Sequence, residues 1–378
     1  MLIYFFIIFL LYYFFILLMI YGWNHTGTPV DHPDHMDLSF ISVIIAVRNE
    51  EENLPRLLDC LSMQNFPSDR FEVVFIDDSS TDHTVKVIEQ FMASVAFSIR
   101  ILANNYVEGI GISPKKAALQ KGIEASQGTI LVMTDGDCWF GADWLKTISA
   151  SFYNEKTMFV SGPVAIHGDH GILSRIQSVE LSSLIGTGAA LINLNYPLMC
   201  NGANLAFRKT AFSHVNGYEG YAHQTSGDDV FLMQKINHSF PESILFLNDA
   251  NSLVYANPQP SLSGLINQRK RWASKWSDYL LPFSWALPVF LFVHYTTFFV
   301  ALVVLFPGFS LHLEIGVLIG IKIILDYIFL KKVMNFCKLP FRLWVFILSE
   351  FLYPIYALFI GISVHFGTYS WKGRVHKA

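Results

Sequence analysis

The apolar residues of this chain collect at its two ends, and that division limits the folds open to it. Residues 2–22 form one uncharged apolar run, long enough to cross a hydrocarbon core of roughly 30 Å. Three more runs follow late in the chain, at 286–306, 313–331 and 343–366. Between the first run and these lies a stretch of ordinary globular composition, large enough for a domain with its own core. The first run lacks a basic n-region and a small-residue cleavage site, so it reads as an anchor rather than a signal peptide. Composition agrees with a membrane protein: 52% hydrophobic residues, 15% charged, mean hydropathy +0.39. The expected organisation is an anchor over 1–23, a globular domain over 40–260, an interfacial amphipathic segment over 261–283, and a transmembrane region of about three segments over 284–368.

The net charge of −4 is modest and spread along the chain, which argues against a nucleic-acid partner. Cys60, Cys138, Cys200 and Cys337 are scattered, give no disulfide or zinc framework, and fit a reducing compartment. Asn24-His25-Thr26 matches a glycosylation sequon, a pattern short enough to arise by chance. Lys331, Lys332, Lys338 and Arg342 make one connection basic, whereas 307–312 carries no Lys or Arg. With the globular domain cytoplasmic, 286–306 exits, 313–331 returns and the basic connection lies inside as the rule expects; the expected setting is an integral, multi-pass protein of the plasma (inner) membrane. The last segment then sends Lys372, Arg374 and Lys377 outside, against the rule. Glu350 and Pro354 interrupt it, and a re-entrant or interfacial start would reconcile the two. Lys322 and Asp326, four apart, share a helical face; at about 2.5–3.5 kcal/mol each in a bilayer centre, they are expected to pair or to line a polar path. Glu350 and His294 are further candidates for that pairing.

In the globular stretch, β-branched apolar runs at 41–47, 71–76, 98–103, 129–133 and 158–166 alternate with helical patterns. Alternation of this kind predicts an α/β, Rossmann-like domain with a mostly parallel sheet covered on both faces. Such sheets bind ligands beyond the carboxyl ends of their strands, where Asn49, Asp77, Asp78, Asp135 and Asp137 fall.

Four motifs carry chemistry. Asp135-Gly136-Asp137 sets two carboxylates on a tight turn at a strand end, which suits Mg²⁺ or Mn²⁺ bridging a nucleotide diphosphate; alone it reads more often as an acidic turn, and its place after a buried strand with two other acidic clusters reverses that. Asp77-Asp78 can accept hydrogen bonds from base or ribose, or cap a helix with Ser79, Ser80 and Thr81. Lys115 and Lys116 open a helix, facing either a phosphate or solvent. Gly227-Asp228-Asp229 precedes an apolar helical run and offers either a general base or a cap. Beyond these, QRKRW at 268–272 brings guanidinium donors and an indole face to the membrane edge, on an amphipathic helix with Leu265, Ile266, Trp276, Tyr279 and Leu280.

In order along the chain, SVIIAVRNEEENL (42–54), VVFIDDSSTD (73–82), TDGDCW (134–139), CNGANLAFRK (200–209), SGDDVFL (226–232) and QRKRW resemble the membrane-bound, QxxRW-containing branch of the family 2 glycosyltransferases. The resemblance implies a GT-A fold, an NDP-sugar donor, a divalent metal (Mg²⁺ or Mn²⁺) and inversion by direct displacement. It implies donor contacts at Val47, Asn49, Glu51, Asp77, Asp78, Lys116 and Asp135, and metal ligation by Asp135 and Asp137. Asp229 matches the general base, with Asp228 in place of the usual glutamate beside it. Gln268, Arg271, Trp272 and Asn204 match the diphosphate and acceptor positions. The implied activity is hexosyl or N-acetylhexosaminyl transfer to a membrane lipid. The alternatives are a processive polysaccharide synthase, with a nascent glycan as acceptor and a partner membrane subunit, and, more remotely, a non-catalytic scaffold or transport component.

Overall fold

The computed structural model describes residues 2–25, 38–106, 111–275, 279–305, 312–364, 368–371 and 374–377. Thr26 of the sequon and Trp276 of the interfacial segment lie outside these residues. Two compact units result, one made of residues 26–167 and 192–257, the other of 1–25, 168–191 and 258–378. Residues 168–191 were expected inside the globular domain and group instead with the terminal helices.

After the terminal helix α1 (Leu2–Asn24), the chain alternates as its pattern predicts: β1 (Ile41–Val47), α2 (Leu54–Ser62), β2 (Phe71–Asp77), α3 (Thr84–Met92), β3 (Ser98–Ala103), α4 (Pro114–Ala125) and β4 (Ile130–Met133). There follow β5 (Cys138–Phe140), α5 (Trp144–Ser151), β6 (Phe159–Ser161), β7 (Val164–Ile166), α6 (Ile172–Asn193), β8 (Leu205–Arg208), α7 (Lys209–His214), α8 (Val230–Ser239), β9 (Ile244–Phe246) and β10 (Val254–Ala256). The run 158–166, expected to close the series, is split by Pro163, which has no N–H to donate; β6 and β7 join different sheets. Strands β8 to β10 then continue beyond it.

The main sheet has the order β3-β2-β1-β4-β8-β6-β9. Neighbours among β3, β2, β1 and β4 pair in parallel, and only β8 runs against its neighbours. Ile41, Val43, Ile44, Ile45 and Val47 are all buried, as a parallel strand covered on both faces requires. In α2, Leu54, Leu57, Leu58 and Leu61 recur at helical spacing and are buried, while Pro55 takes the first turn, where an N–H is dispensable. Helix α4 lies hard on the sheet: a Cβ at Gly122 would stand 2.6 Å from Ile76 Cδ1 and 2.8 Å from Ile44 Cγ2.

The second unit adds α9 (Leu262–Ala273), α10 (Ala286–Val304), α11 (His312–Phe336), α12 (Leu343–Ser363) and a hairpin, β11 (Thr368–Trp371) with β12 (Arg374–Lys377). Among the described residues, α1, α10 and α12 are long and apolar enough to cross a membrane. Phe5 and Phe9 of α1 pack with Phe298 and Ala301 of α10 and Ile315 of α11. Close approach draws in α6, since a Cβ at Gly22 would meet Ala190 O at 2.6 Å and one at Gly186 would meet Val333 Cγ2 at 2.6 Å. Lys322 pairs with Asp326 at 2.9 Å and with Glu350, and Tyr12 donates to Asp326 at 2.8 Å. Glu350 therefore interrupts nothing: α12 is one helix with Pro354 inside it, because the carboxylate is buried against the α11 ammonium. Helix α9 stops at Ala273, so Tyr279 and Leu280 do not extend it as expected.

Candidate active site

Strands β1, β2 and β4 end along one edge. Val47 is level with Asp77, and Ile44 with Met133. At about 4.8 Å per strand, Asp77 and the DGD turn stand roughly 10 Å apart with the end of β1 between them. Asn49 turns the chain with φ +53°, a left-handed conformation that asparagine tolerates. Its Oδ1 accepts from Thr81 N at 2.8 Å, and its own N–H donates to Ser80 Oγ at 3.0 Å. Asp77 accepts from Ser80 N at 3.2 Å, closing a tight turn. Glu51 accepts from His83 N at 2.8 Å. Asp78 is buried, accepts from Asn104 Nδ2 at 2.7 Å and lies 3.7 Å from Arg48 Nη1; its N–H donates to Val47 O at 2.9 Å. The residues after β1 and β2 thus form one polar rim. Arg48 and Asn104 were not singled out in the sequence, because their part in it depends on contacts with a neighbouring strand end.

Beside this rim, the two acidic turns converge. Lys115 Nζ lies 3.2 Å from Asp135 Oδ1 and 3.2 Å from Asp228 Oδ2. Gly136 is closely packed, since a Cβ there would meet Glu50 Cγ at 3.1 Å and Val47 Cγ1 at 3.3 Å. Gly227 (φ +82°) turns the chain into α8, leaving Asp228 buried and Asp229 half-buried at the helix start. Asp229 Oδ1 accepts from Val230 N at 2.8 Å, so Asp229 does cap the helix, with its second oxygen not used for that bond. The NGAN turn backs both carboxylates: a Cβ at Gly202 would lie 3.7 Å from Asp228 Oδ2 and from Asp229 Oδ2. Burial, reinforced by Asp228 and Asp229, pushes the Tyr218 phenol well above its usual range. Burial, with Asp137 and Asp135, does the same for the Cys138 thiol, whose Sγ is 3.8 Å from Asp137 Oδ1.

Two of the expected site residues have their polar atoms engaged within the fold. Lys116 is buried, and its ammonium donates to the carbonyls of Tyr221 (2.6 Å), Gln224 (2.8 Å) and Ser226 (3.2 Å). With three donors engaged, it anchors the segment before GDD, and Lys115 is the lysine at the acidic turns. Asn204 is fully buried, accepts from Trp144 Nε1 at 3.1 Å and donates to Pro163 O and Ser252 O at 2.8 Å. Its amide ties α5 to the link between β6 and β7 and to the turn before β10. In the other unit, QRKRW lies on α9, where Arg269 forms a buried fork with Glu180 (2.9 Å to each oxygen) and covers the Trp272 ring at 4.1 Å. Gln268 accepts from Arg269, and Arg271 is half-buried. Glu180 is 89 positions from Arg269, and no local pattern announces it.

Among the described residues, no three His, Cys, Asp or Glu side chains gather into a complete metal cage. A hard cation that keeps waters and draws oxygens from a substrate diphosphate needs only one or two protein carboxylates. Asp135 and Asp137, on a part-exposed turn at a strand end, would be such a set.

Residues 42–215 match the pattern of glycosyl transferase family 2. This stretch belongs to that family. The chain is similar to the poly-beta-1,6-N-acetyl-D-glucosamine synthase of Staphylococcus epidermidis, 26% identical over 266 residues, 67% of this chain and 58% of that protein. It is also similar to the beta-monoglucosyldiacylglycerol synthase of a Nostoc species, 26% identical over 241 residues, 62% of this chain and 48% of that one. The chain therefore spans about half the length of these relatives. Mannosyltransferase PcManGT from Pyrobaculum calidifontis, solved with GDP-Man and Mn²⁺, shares the fold at a TM-score of 0.57, with 18% identity and coverage of 93% of this chain and 96% of that one. The sheet topology and this likeness give the family 2 domain the GT-A fold.

Proposed function

We propose that the protein is an inverting glycosyltransferase that moves a hexosyl or N-acetylhexosaminyl group from an NDP-sugar to a membrane-associated lipid. The observation that carries this reading is the convergence of Asp135 and Asp228 on Lys115, which brings the DGD turn beside the GDD turn that carries the general-base candidates. Asp229, which stands at the motif's general-base position and is oriented by its bond from Val230 N, is the base. It removes the acceptor hydroxyl proton as that oxygen attacks the anomeric carbon. The bond to the diphosphate breaks on the opposite face and its electron pair leaves with the phosphate. Asp135 and Asp137 would hold Mg²⁺ or Mn²⁺, which neutralises charge on the diphosphate. Asn49, Glu51, Asp77 and Asp78 shape the rim on which the nucleotide rests, supported by the 79–84 loop. For Gln268, Arg271 and Trp272 it is the motif that supports a diphosphate or acceptor role.

A lipid acceptor is supported by three membrane-capable helices and by the glycolipid synthase relative. The polysaccharide synthase relative favours a second reading, processive synthesis with a partner subunit. Incubation with labelled NDP-sugars in native lipid, followed by mass spectrometry, separates them: a single glycolipid supports the first, and a polymer ladder replaces it with the second. The proposed setting is the plasma (inner) membrane with the family 2 domain cytoplasmic, tested by protease accessibility in sealed vesicles of known sidedness.

A further inference from the structure

Lys115 and Lys116 stand next to each other at the start of α4 but have different surroundings. The Lys116 ammonium is fixed in a nest of three carbonyls. Lys115 keeps 16% side-chain exposure and bridges Asp135 and Asp228, 3.2 Å from each. The two carboxylates reach this point from turns on opposite sides of α5 to α7 in the sequence, and without a cation between them they would repel. An ammonium answers that repulsion with one charge and three donors. A divalent cation answers it with twice the charge and a preference for the same oxygens.

We propose that Lys115 is a built-in counter-ion that holds the cation position between the DGD and GDD turns, and that a divalent cation displaces its ammonium from Asp135. The inference rests on the metal-dependent transferase reading above. Helix α4 need not move for this, because Gly122 seats it on Ile44 and Ile76 and Lys116 pins its first turn. Rotation of the flexible Lys115 stem suffices. The consequence is coupling: the metal alone competes with the lysine and binds weakly, whereas a diphosphate brings added oxygen ligands and tips the competition. Metal and donor therefore load together, and the acidic turns stay neutralised between turnovers.

The test uses full-length wild-type protein in detergent and a small amine-acylating reagent, with modification of Lys115 quantified by mass spectrometry and Lys116 as the buried control. Saturating Mg²⁺ without nucleotide is expected to raise Lys115 acylation severalfold. In parallel, Mn²⁺ titration by electron paramagnetic resonance, without donor, is expected to show about tenfold tighter binding in Lys115→Met, the value of one charge-assisted hydrogen bond. Unchanged acylation under Mg²⁺ overturns displacement, even where Lys115→Met binds Mn²⁺ more tightly, since charge removal alone would do that. Metal-dependent sugar transfer with Lys115 still protected overturns the displacement and leaves the transferase reading intact. Release of Lys115 by metal in a protein that transfers no sugar upholds the displacement and removes that reading.

Discussion

Neighbouring residues of the same type have different tasks at this site. Asp228 and Asp229 share a turn, yet one is ion-paired to Lys115 and the other caps α8 through a single oxygen. Asp229→Asn is accordingly expected to lower kcat by about 10²–10⁴, the usual worth of a general base, with donor affinity retained in equilibrium binding. Lys116→Met should behave differently. It leaves three carbonyls without their donor and should lower stability by about 1–3 kcal/mol in thermal unfolding. At Cys138, burial and the adjacent carboxylates raise the folded-state value, so its contribution is complete below the ordinary thiol range and is lost as pH rises through and beyond it. Stability should fall in alkaline buffer less steeply for Cys138→Ala than for wild type, and the thiol should resist alkylation until the chain unfolds. The strand-end positions of these carboxylates were legible in the sequence because strand periodicity and acidic punctuation are both local. The choice between Lys115 and Lys116 was not: it is made by carbonyls of Tyr221, Gln224 and Ser226, more than a hundred residues further on.

At the scale of elements, the helices of the second unit are joined by polar contacts as well as by apolar faces. Lys322 serves two carboxylates, one from its own helix and one from α12, while Tyr12 of α1 completes the coordination of Asp326. The spacing of Lys322 and Asp326 announced their pairing, and Glu350 looked like a break until α12 was seen to run through it. Lys322→Met should cost about 3–5 kcal/mol, because it strands two buried carboxylates. Adding Asp326→Leu and Glu350→Leu should recover most of that loss in detergent melting curves, since a well-packed apolar trio carries no desolvation cost. A second ion pair, Arg269 with Glu180, joins α9 to α6 within the same unit.

For the whole molecule, the expected outcome is donor-dependent sugar transfer that disappears on chelation of divalent cations and returns with Mn²⁺ or Mg²⁺, followed as product mass in native lipid. The apolar runs at both ends and the alternation of strands and helices between them were sufficient, by themselves, to determine an α/β domain with membrane-capable helices, and the order of motifs placed residues 42–215 with the family 2 glycosyltransferases. Periodicity and motif order are properties of neighbours along the chain, so the sequence expresses them directly. Tertiary structure alone decided that Asn204 joins α5 to the turns at Pro163 and Ser252, that Lys116 anchors a loop while Lys115 bridges the acidic turns, and that Arg269 is committed to Glu180. Each of those assignments depends on which distant group meets a side chain's hydrogen-bonding capacity, and only the folded chain brings those groups within 3 Å or so of one another.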